Sequence, residues 1–533
     1  MNRGFLLVIM IIGFLSAIGQ TNQKATKSPK LIVGMMVDQM RWDFIYRYQH
    51  RYGEGGFKRI LREGFTNEDA HIPYAQTVTA VGHACVYTGS VPALNGIMGN
   101  EWYDRRLKRS VYCVEDDSVQ VVGGKGNFGP MSPRNLQSTS IADELNLATN
   151  FRSKIVGVAL KDRGSILPAG RSGNAYWYES TSGNFITSTW YMNNLPNWAA
   201  SFNSRKVVDS LYDLPWSLSY PFESYVQSDQ RNPSYTKNPF PRNFSSNKGK
   251  SYAAIATTPW GNTLTMAFSI AAIEGEQLGI DSIPDLLAIS LSTPDYIGHS
   301  VGPNSVEIED VYIKLDRELA YFFTYLDKKV GKGQYLFFLT ADHGVAHVPA
   351  YMQSHNLPAK AMRSNKNAEQ ATMKKFGLSR LVEATANHQV YLDRHYLDSM
   401  KADYEAVKRF YIDRINEDPD VLFAFDNAAI AHVNLPAEYR EMFQKGYNRE
   451  LAGDVQVVHR PGYIYSSNPA GTTHGSMYPY DSHIPLLWMG WGVKQGISHR
   501  RVYMSDIAGT VTAMLKIQAP SGNVGTIIYE LIK

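Results

Sequence analysis

The sequence predicts an α/β protein with a doubly wound, mostly parallel central sheet. Short apolar runs, many of them β-branched, alternate with segments whose apolar residues recur at helical spacing. Continuous apolar runs are typical of strands buried on both faces, as in a parallel sheet, and their alternation with helices implies the doubly wound arrangement. The runs predicted as core strands are 31–37, 154–160, 286–291, 335–339 and 484–489.

Helix signals lie between these runs. Thr258-Pro259 predicts a helix cap followed by a first-turn proline, and Gly279 supplies a stop. Asn304, with Glu307 three residues later, predicts the start of a second helix. Ligands in doubly wound proteins bind at the carboxyl ends of the strands, and polar residues follow several of the predicted strands.

Two long segments break the alternation. Residues 170–251 are rich in aromatic residues, Asn, Ser and Pro, and residues 351–461 mix strand-like and helical pieces. Because both keep many large apolar residues, we predict cap-like insertions near the mouth of the site rather than disordered linkers. The whole of 20–533 is predicted to form one catalytic domain that carries these insertions.

The N-terminus has the order of a signal peptide. Arg3 precedes an apolar run, and small residues follow at Ala17 and Gly19. The run is short for a membrane span, although an uncleaved anchor is the alternative. We therefore expect residues 1–19 to be a signal peptide, the protein to be periplasmic or secreted, and no stable membrane insertion.

Composition excludes several classes of protein. The chain has 533 residues, 44% hydrophobic and 19% charged, which argues against disorder. The net charge of +4 comes without a dense Lys/Arg run, so no nucleic-acid specificity is expected.

The only two cysteines, Cys85 and Cys113, could pair or stay free, and the sequence does not decide between these states.

Carboxylates and imidazoles cluster at the ends of predicted strands. Asp295 and His299 share one face of a helical turn, and oxygen and nitrogen ligands of this kind suit Zn²⁺. A lone Asp–His neighbour is commonly structural, but placement at three strand ends favours a metal site. Six ligands exceed one tetrahedral ion and fit two, which can clamp the attacking and leaving oxygens of a phosphoryl transfer. The six candidates are Asp38, Asp295, His299, Asp342, His343 and His474.

A threonine precedes a run of small residues. Thr79 precedes Ala80, Val81 and Gly82, in a plausible short helix. At a helix N-terminus, free backbone N–H groups favour an anionic phosphate, and a neighbouring metal ion lowers the pKa of a bound hydroxyl enough for nucleophilic attack. The alternative is that Thr79 only caps the helix.

Further polar residues could bind phosphoryl oxygens. Lys161 and Arg163 follow the second core strand two residues apart, and such a pair can point into one site. A solvated strand end is the alternative interpretation. Asn100 offers one more donor, although by itself it is typical of a turn.

Together these segments resemble the alkaline phosphatase superfamily, and most of all its phosphate-insensitive (PafA-type) bacterial periplasmic alkaline phosphatases. The resemblance covers nearly the whole mature chain. The matching pieces are 37–40, 77–83, 99–100, 160–163, 294–299, 340–344 and 473–475.

The resemblance implies a division of roles. One zinc ion is held by Asp295, His299 and His474, and the other by Asp38, Asp342 and His343, with Thr79 Oγ1 also contacting the second ion. Thr79 attacks phosphorus and water later hydrolyses the phosphothreonine, while Asn100, Lys161 and Arg163 bind the non-bridging oxygens. Other alkaline phosphatases use a serine, an arginine and a magnesium site. This chain has no clear magnesium-site residues, which suggests that Lys161 supplies part of the missing charge.

We therefore expect a zinc-dependent phosphate monoester hydrolase acting on small-molecule phosphate esters. A monomer is one expectation, since the sequence leaves the oligomeric state open. A nucleotide pyrophosphatase/phosphodiesterase is the closest alternative, and the Lys161/Arg163 pair favours the more highly charged monoester. A zinc-binding surface protein without catalysis is a further alternative. His83 and His347 complete no ligand set, and we expect packing or supporting roles for both.

Overall fold

The computed structural model describes residues 28–126, 128–228, 238–363, 365–466, 468 and 470–533. The predicted signal peptide, 1–19, lies outside the described residues. Within them, ten strands form one central sheet, and these strands are numbered along the chain. They are β1 (Leu31–Val37), β2 (Phe65–Asn67), β3 (Val121–Val122), β4 (Ile155–Ala159), β5 (Asn174–Glu179), β6 (Asn184–Ser188), β7 (Asp285–Leu291), β8 (Tyr335–Thr340), β9 (Leu486–Gly490) and β10 (Gly496–Ser498).

The sheet has a parallel centre flanked by antiparallel pairs, and the edge pair β10–β2 is again parallel. Its order is β10-β2-β9-β8-β1-β7-β4-β5-β6-β3, and the five strands from β8 to β5 are parallel. The doubly wound, mostly parallel α/β fold is confirmed. The run predicted at 484–489 does join the sheet, but as β9 it runs antiparallel to β8, because an apolar run shows burial and not direction.

The register of the central strands decides where the polar residues lie. Val37 of β1 pairs with Leu291 of β7, and Met36 pairs with Thr340 of β8. Every residue of these three strands is buried. Since the strands are parallel and end at one level, the segments that follow them start at the same edge of the sheet.

Six helices bear on the site or match a sequence signal, and they too are numbered along the chain. The sequence predicted that Asn304 begins the helix that follows it, but the helix is capped by the next residue. Ser305, and not Asn304, caps α5 by accepting a hydrogen bond from the Ile308 N–H, while the Asn304 side chain bonds to His347 Nδ1. The helices are α1 (Thr79–Thr88), α2 (Asp162–Ala169), α3 (Trp260–Glu276), α4 (Thr293–Val301), α5 (Val306–Leu326) and α6 (Asp506–Leu515).

The segment 170–251 begins inside the central sheet. Its first two strands are β5 and β6, and Trp177 on β5 is fully buried. Only the part beyond β6 lies outside the sheet, with short helices at Asn197–Ser204 and Val207–Tyr212. The aromatic residues that set this segment apart in the sequence therefore serve partly as core.

Residues 351–461, here named the cap segment, carry a separate antiparallel sheet. Its strand order is Val382–Ala386, Gln389–Leu392, Val455–His459 and Val421–Asp426. The main helices are Asn367–Phe376, Arg394–Ser399, Tyr404–Asn416 and Ala437–Gly446. A hydrophobic cluster of its own packs this sheet against the first three of these helices, with Leu392, Val407 and Val455 among its fully buried members.

Two sequence questions are answered by the fold. Cys85 and Cys113 are both buried free thiols, so they do not pair. None of the helices in the described ranges combines the length and apolar character needed to cross a bilayer.

Candidate active site

The first cluster lies at the carboxyl ends of β1 and β8. Asp38 follows β1, and Asp342 and His343 follow β8; all three side chains are completely buried. Their ligand atoms lie within 4.8 Å of one another. His343 Nε2 is 3.5 Å from Asp38 Oδ1 and 3.6 Å from Asp342 Oδ2.

The polar atoms at the centre of this cluster are unpartnered. Asp38 Oδ1, Asp342 Oδ2 and His343 Nε2 are buried and make no hydrogen bond within the described residues. Buried polar atoms are ordinarily paired, so three such atoms in one place require an explanation. Two carboxylate oxygens and an imidazole nitrogen form a donor set that Zn²⁺ accepts. The residues therefore fit a metal ion.

The second cluster is built on α4, where Asp295 and His299 stand one turn apart. Asp295 Oδ1 is 3.1 Å from His299 Nε2 and 3.6 Å from His474 Nε2. His474 comes from a distant loop, and its ring stacks on that of His343 with centroids 3.5 Å apart. The two clusters are therefore neighbours at one edge of the sheet.

Backbone carbonyls fix the tautomer of each histidine. A carbonyl oxygen can only accept, so the Nδ1 atom of each ring carries a proton, and in the neutral ring Nε2 keeps its lone pair. This is the form in which imidazole binds a metal ion, and such bonds orient the ring. The Nδ1–carbonyl pairs are His299–Thr472 at 2.9 Å, His343–Gly344 at 2.9 Å and His474–Thr77 at 2.7 Å.

Burial and crowding shift the pKa values in these clusters. Burial lowers the pKa of His343 to about 4, and burial with the neighbouring His343 and His299 places the pKa of His474 well below its usual range. Burial, together with the Asp38 carboxylate, raises the pKa of Asp342 well above its usual value. His299 differs, since the Asp295 carboxylate outweighs burial and raises its pKa to about 9.

Lys161 joins the two clusters. Its Nζ lies 2.6 Å from Asp38 Oδ2, 2.6 Å from Asp295 Oδ2 and 3.4 Å from Thr79 Oγ1. The side chain is 3% exposed. Burial disfavours its charged form, but the carboxylates of Asp295 and Asp38 more than offset this and raise the Lys161 pKa. The ammonium is therefore a permanent positive charge beside the threonine.

Thr79 is the first residue of α1 and is buried. Asn100 Oδ1 accepts a hydrogen bond from the Ala80 N–H at 2.9 Å, which holds this helix N-terminus in place. Gly82, one turn on, packs directly on the first cluster: a Cβ there would lie 2.5 Å from the Asp342 carbonyl oxygen. The small residues after Thr79 therefore allow the helix to approach Asp342.

Arg163 stands to one side of the clusters. Its Nη1 donates to the Tyr112 hydroxyl at 2.9 Å and lies 3.9 Å from the Asp162 carboxylate. Its Nε is buried without a partner among the described residues. The structure thus brings together Lys161, Thr79 and the six predicted ligands, whereas Arg163 lies beside them with a donor unused.

Gln39 joins the two clusters and was missed by sequence reasoning. Its backbone N–H donates to Asp342 Oδ1 at 3.1 Å, and its Nε2 donates to Asp295 Oδ1 at 2.7 Å. The residue has a φ of +65°, which turns the chain sharply after β1. A single glutamine after a strand carries no signal for this role.

The two histidines that the sequence set apart from the ligand sets, His83 and His347, contact neighbouring groups. His83 Nδ1 bonds to the Thr79 carbonyl at 2.8 Å, and its Nε2 lies 2.8 Å from Ser290 Oγ. His347 pairs with Asn304 and lies 3.1 Å from Arg41 Nη1.

A third group of ligand-capable residues lies elsewhere, at Asp69, His71 and His483. The two imidazole rings are stacked, with centroids 4.5 Å apart and planes 8° apart. Parallel stacked rings cannot direct both nitrogens at one ion, and Asp69 already pairs with Arg501. This group does not resemble the two clusters described above.

Comparison with known proteins places the chain in a family. The model of the type I phosphodiesterase/nucleotide pyrophosphatase family matches residues 32–481. Alkaline phosphatase PafA of Elizabethkingia meningoseptica is 45% identical over 548 residues, which cover 99% of each chain. Alkaline phosphatase PhoV of Synechococcus elongatus is 46% identical over 514 residues, covering 95% of this chain and 93% of PhoV.

A solved structure supports the same family assignment. The crystal structure of wild-type alkaline phosphatase PafA superposes with a TM-score of 0.92 at 46% identity, and the match covers 95% of this chain and 99% of PafA. The chain therefore belongs to the type I phosphodiesterase/nucleotide pyrophosphatase family, and within it to the PafA-type alkaline phosphatases.

Proposed function

We propose that this protein hydrolyses phosphate monoesters with two zinc ions, through a covalent phosphothreonine on Thr79. The observation that carries the proposal is the position of Thr79. It is the first residue of a helix that packs on Asp342, and its Oγ1 lies 3.4 Å from Lys161 Nζ. A hydroxyl, a permanent cation and two donor sets for metal ions thus share one buried edge.

Each cluster would hold one zinc ion. Asp38, Asp342 and His343 would hold one beside Thr79, and the second cluster would hold the other. Oxygen and imidazole nitrogen suit zinc, and the Nδ1–carbonyl bonds leave Nε2 of each neutral ring to bind; His299 would release its Nε2 proton when the ion binds. Two such ions, when bound, stabilise charge on the attacking and leaving oxygens of an in-line displacement.

The chain's own residues carry out the displacement. Thr79 gives its hydroxyl proton to solvent as Oγ1 attacks phosphorus; the bond to the ester oxygen breaks, and the alcohol leaves with that electron pair and takes up a proton from solvent. Water then attacks the phosphothreonine, which returns the hydroxyl to Thr79 and releases inorganic phosphate. The Ala80 N–H is already taken by Asn100 Oδ1, so what α1 would offer the phosphoryl group is the positive end of its dipole.

Three side chains would bind the non-bridging oxygens. Lys161 is already at the threonine, and Arg163 has the unused Nε donor. Asn100 is fixed by its bond to the Ala80 N–H, so its amide nitrogen is left to donate. Cations placed where charge develops act strongly in a buried site.

The alternative within the family is a diesterase. A monoester dianion carries more charge on its non-bridging oxygens than a diester does, so the buried ammonium of Lys161 favours the monoester.

We also propose export from the cytoplasm, to the periplasm or beyond. The support is the order of charged, apolar and small residues at 1–19. Sequencing the N-terminus of the mature protein tests this, and a mature chain that still starts at Met1 would contradict it.

Thr79→Ala should lower kcat/KM for a phosphomonoester by at least about a thousandfold, because the attacking oxygen is gone. Zinc content measured by mass spectrometry should stay at two ions per chain, because the six ligands remain. Thr79→Ser is the matched control and should keep most of the activity. Normal turnover by the alanine variant would exclude Thr79 as the nucleophile.

Lys161→Ala should lower kcat/KM for a monoester about a hundredfold, and for a diester clearly less, because the lost charge matters more for the dianion. Lys154→Ala, just before β4 at the opposite end of the same strand, is the control and should change neither rate. Equal losses on the two ester classes would overturn the charge argument.

A further inference from the structure

The hydroxyl of Tyr112 joins the first two residues of α2. It accepts a hydrogen bond from Arg163 Nη1 at 2.9 Å and donates its own proton to Asp162 Oδ1 at 2.6 Å. A phenol has one O–H donor, and a carboxylate can only accept. The hydroxyl hydrogen therefore points at Asp162, which leaves the hydroxyl oxygen to accept from the Arg163 guanidinium.

Arg163 depends on this hydroxyl for its orientation. Among the described residues, Tyr112 is the one hydrogen-bond partner of the guanidinium, since the Asp162 carboxylate lies 3.9 Å away and instead accepts from the Arg163 backbone N–H. The Arg163 side chain is nevertheless largely buried, with 16% exposed. A long arginine side chain has many rotamers, so a single directional bond selects the direction in which its charge points.

The bond at Nη1 leaves one edge of the Arg163 guanidinium free. The planar group presents Nε and Nη2 along one edge, and Nη1 lies away from that edge. Nε is buried and has no partner in the described part of the chain. An edge with two parallel N–H groups can bind two oxygens of a phosphate at once. Tyr112 thus holds the group by the nitrogen that such binding does not need.

Tyr112 is itself fixed by the segment that carries Asn100. It is the last residue of a hairpin formed by the short strands Glu101–Asp104 and Arg109–Tyr112. At the base of this hairpin the Cys113 N–H donates to the Asn100 carbonyl oxygen at 2.9 Å. The backbone at Tyr112 is therefore fixed relative to Asn100, and two of the proposed phosphoryl contacts share one support.

We propose that Tyr112 is a positioning residue, whose hydroxyl orients Arg163 so that its Nε and Nη2 edge faces two non-bridging oxygens of the phosphoryl group. This rests on the proposed function, in which Arg163 binds these oxygens. Tyr112 acts through the guanidinium and does not touch the substrate. A charge that is fixed in place before the reaction stabilises the transition state without reorienting, and loss of the hydroxyl leaves the charge but frees its direction.

A double-mutant cycle on the full-length, zinc-loaded protein tests this, with phenyl phosphate as the substrate. Tyr112→Phe removes only the hydroxyl and should lower kcat/KM about fivefold. Arg163→Ala should lower kcat/KM about a hundredfold. Adding Tyr112→Phe to Arg163→Ala should change it by less than about twofold, because no guanidinium is then left to orient. A merely structural contribution of Tyr112 would cost the same factor in both backgrounds.

Tyr335→Phe is the matched control. The Tyr335 hydroxyl donates to Asp327 Oδ1 at 2.9 Å, and that carboxylate pairs with Arg59, so the same three residue types meet there. Tyr335 is the first residue of β8, at the opposite end of that strand from the site. This variant should leave kcat/KM unchanged. Zinc content should be the same in all of these variants, because none of the six proposed ligands is altered.

Three results would overturn the positioning role of Tyr112 and leave the proposed hydrolysis intact. These are an equal loss from Tyr112→Phe in both backgrounds, no loss in the otherwise unchanged protein, or a loss of zinc on removal of the hydroxyl. Full activity of Arg163→Ala would remove Arg163 from the proposed oxygen contacts, and the role of Tyr112 with it. Failure of the unchanged protein to hydrolyse phenyl phosphate would instead overturn the proposed function.

Discussion

The burial of three carboxylates at one edge of the sheet is the constraint on which the rest of the site depends. Asp38, Asp295 and Asp342 are nearly or fully buried there, and buried charges are costly unless they are neutralised. The single positive charge of Lys161 forms ion pairs with two of them, Asp38 and Asp295. Burial and the Asp38 carboxylate raise the pKa of Asp342, because the negative charge of this group is not balanced by a cation. Bound metal ions would balance it.

The fold creates this constraint through strand register. The parallel strands β1, β7 and β8 end at one level. The residues that follow them therefore lie close together at one edge of the sheet. The surroundings then hold each group in a form that binds cations: carbonyls fix the histidine tautomers, and Gln39 ties Asp342 to Asp295. Preorganisation of this kind is what electrostatic catalysis needs, because the groups do not have to reorient during the reaction.

The sequence could predict which residues lie at this edge of the sheet, but not all of the contacts that they make. Strand ends such as Val37-Asp38 are local patterns, and parallel pairing follows from continuous apolar burial. The direction of β9 and the role of Gln39 depend on contacts between residues far apart in the chain. Gln39, for example, donates to Asp342 and Asp295, which lie 303 and 256 positions further along the sequence.

The central claim is that two ions flank Thr79, one in each cluster. A crystal structure of the zinc-loaded protein with anomalous data at the zinc absorption edge tests it most directly. The account predicts two anomalous peaks, one contacted by Asp38, Asp342 and His343 and the other by Asp295, His299 and His474, with Thr79 Oγ1 beside the first. A single peak shared by all six residues, or zinc bound only elsewhere, would contradict it.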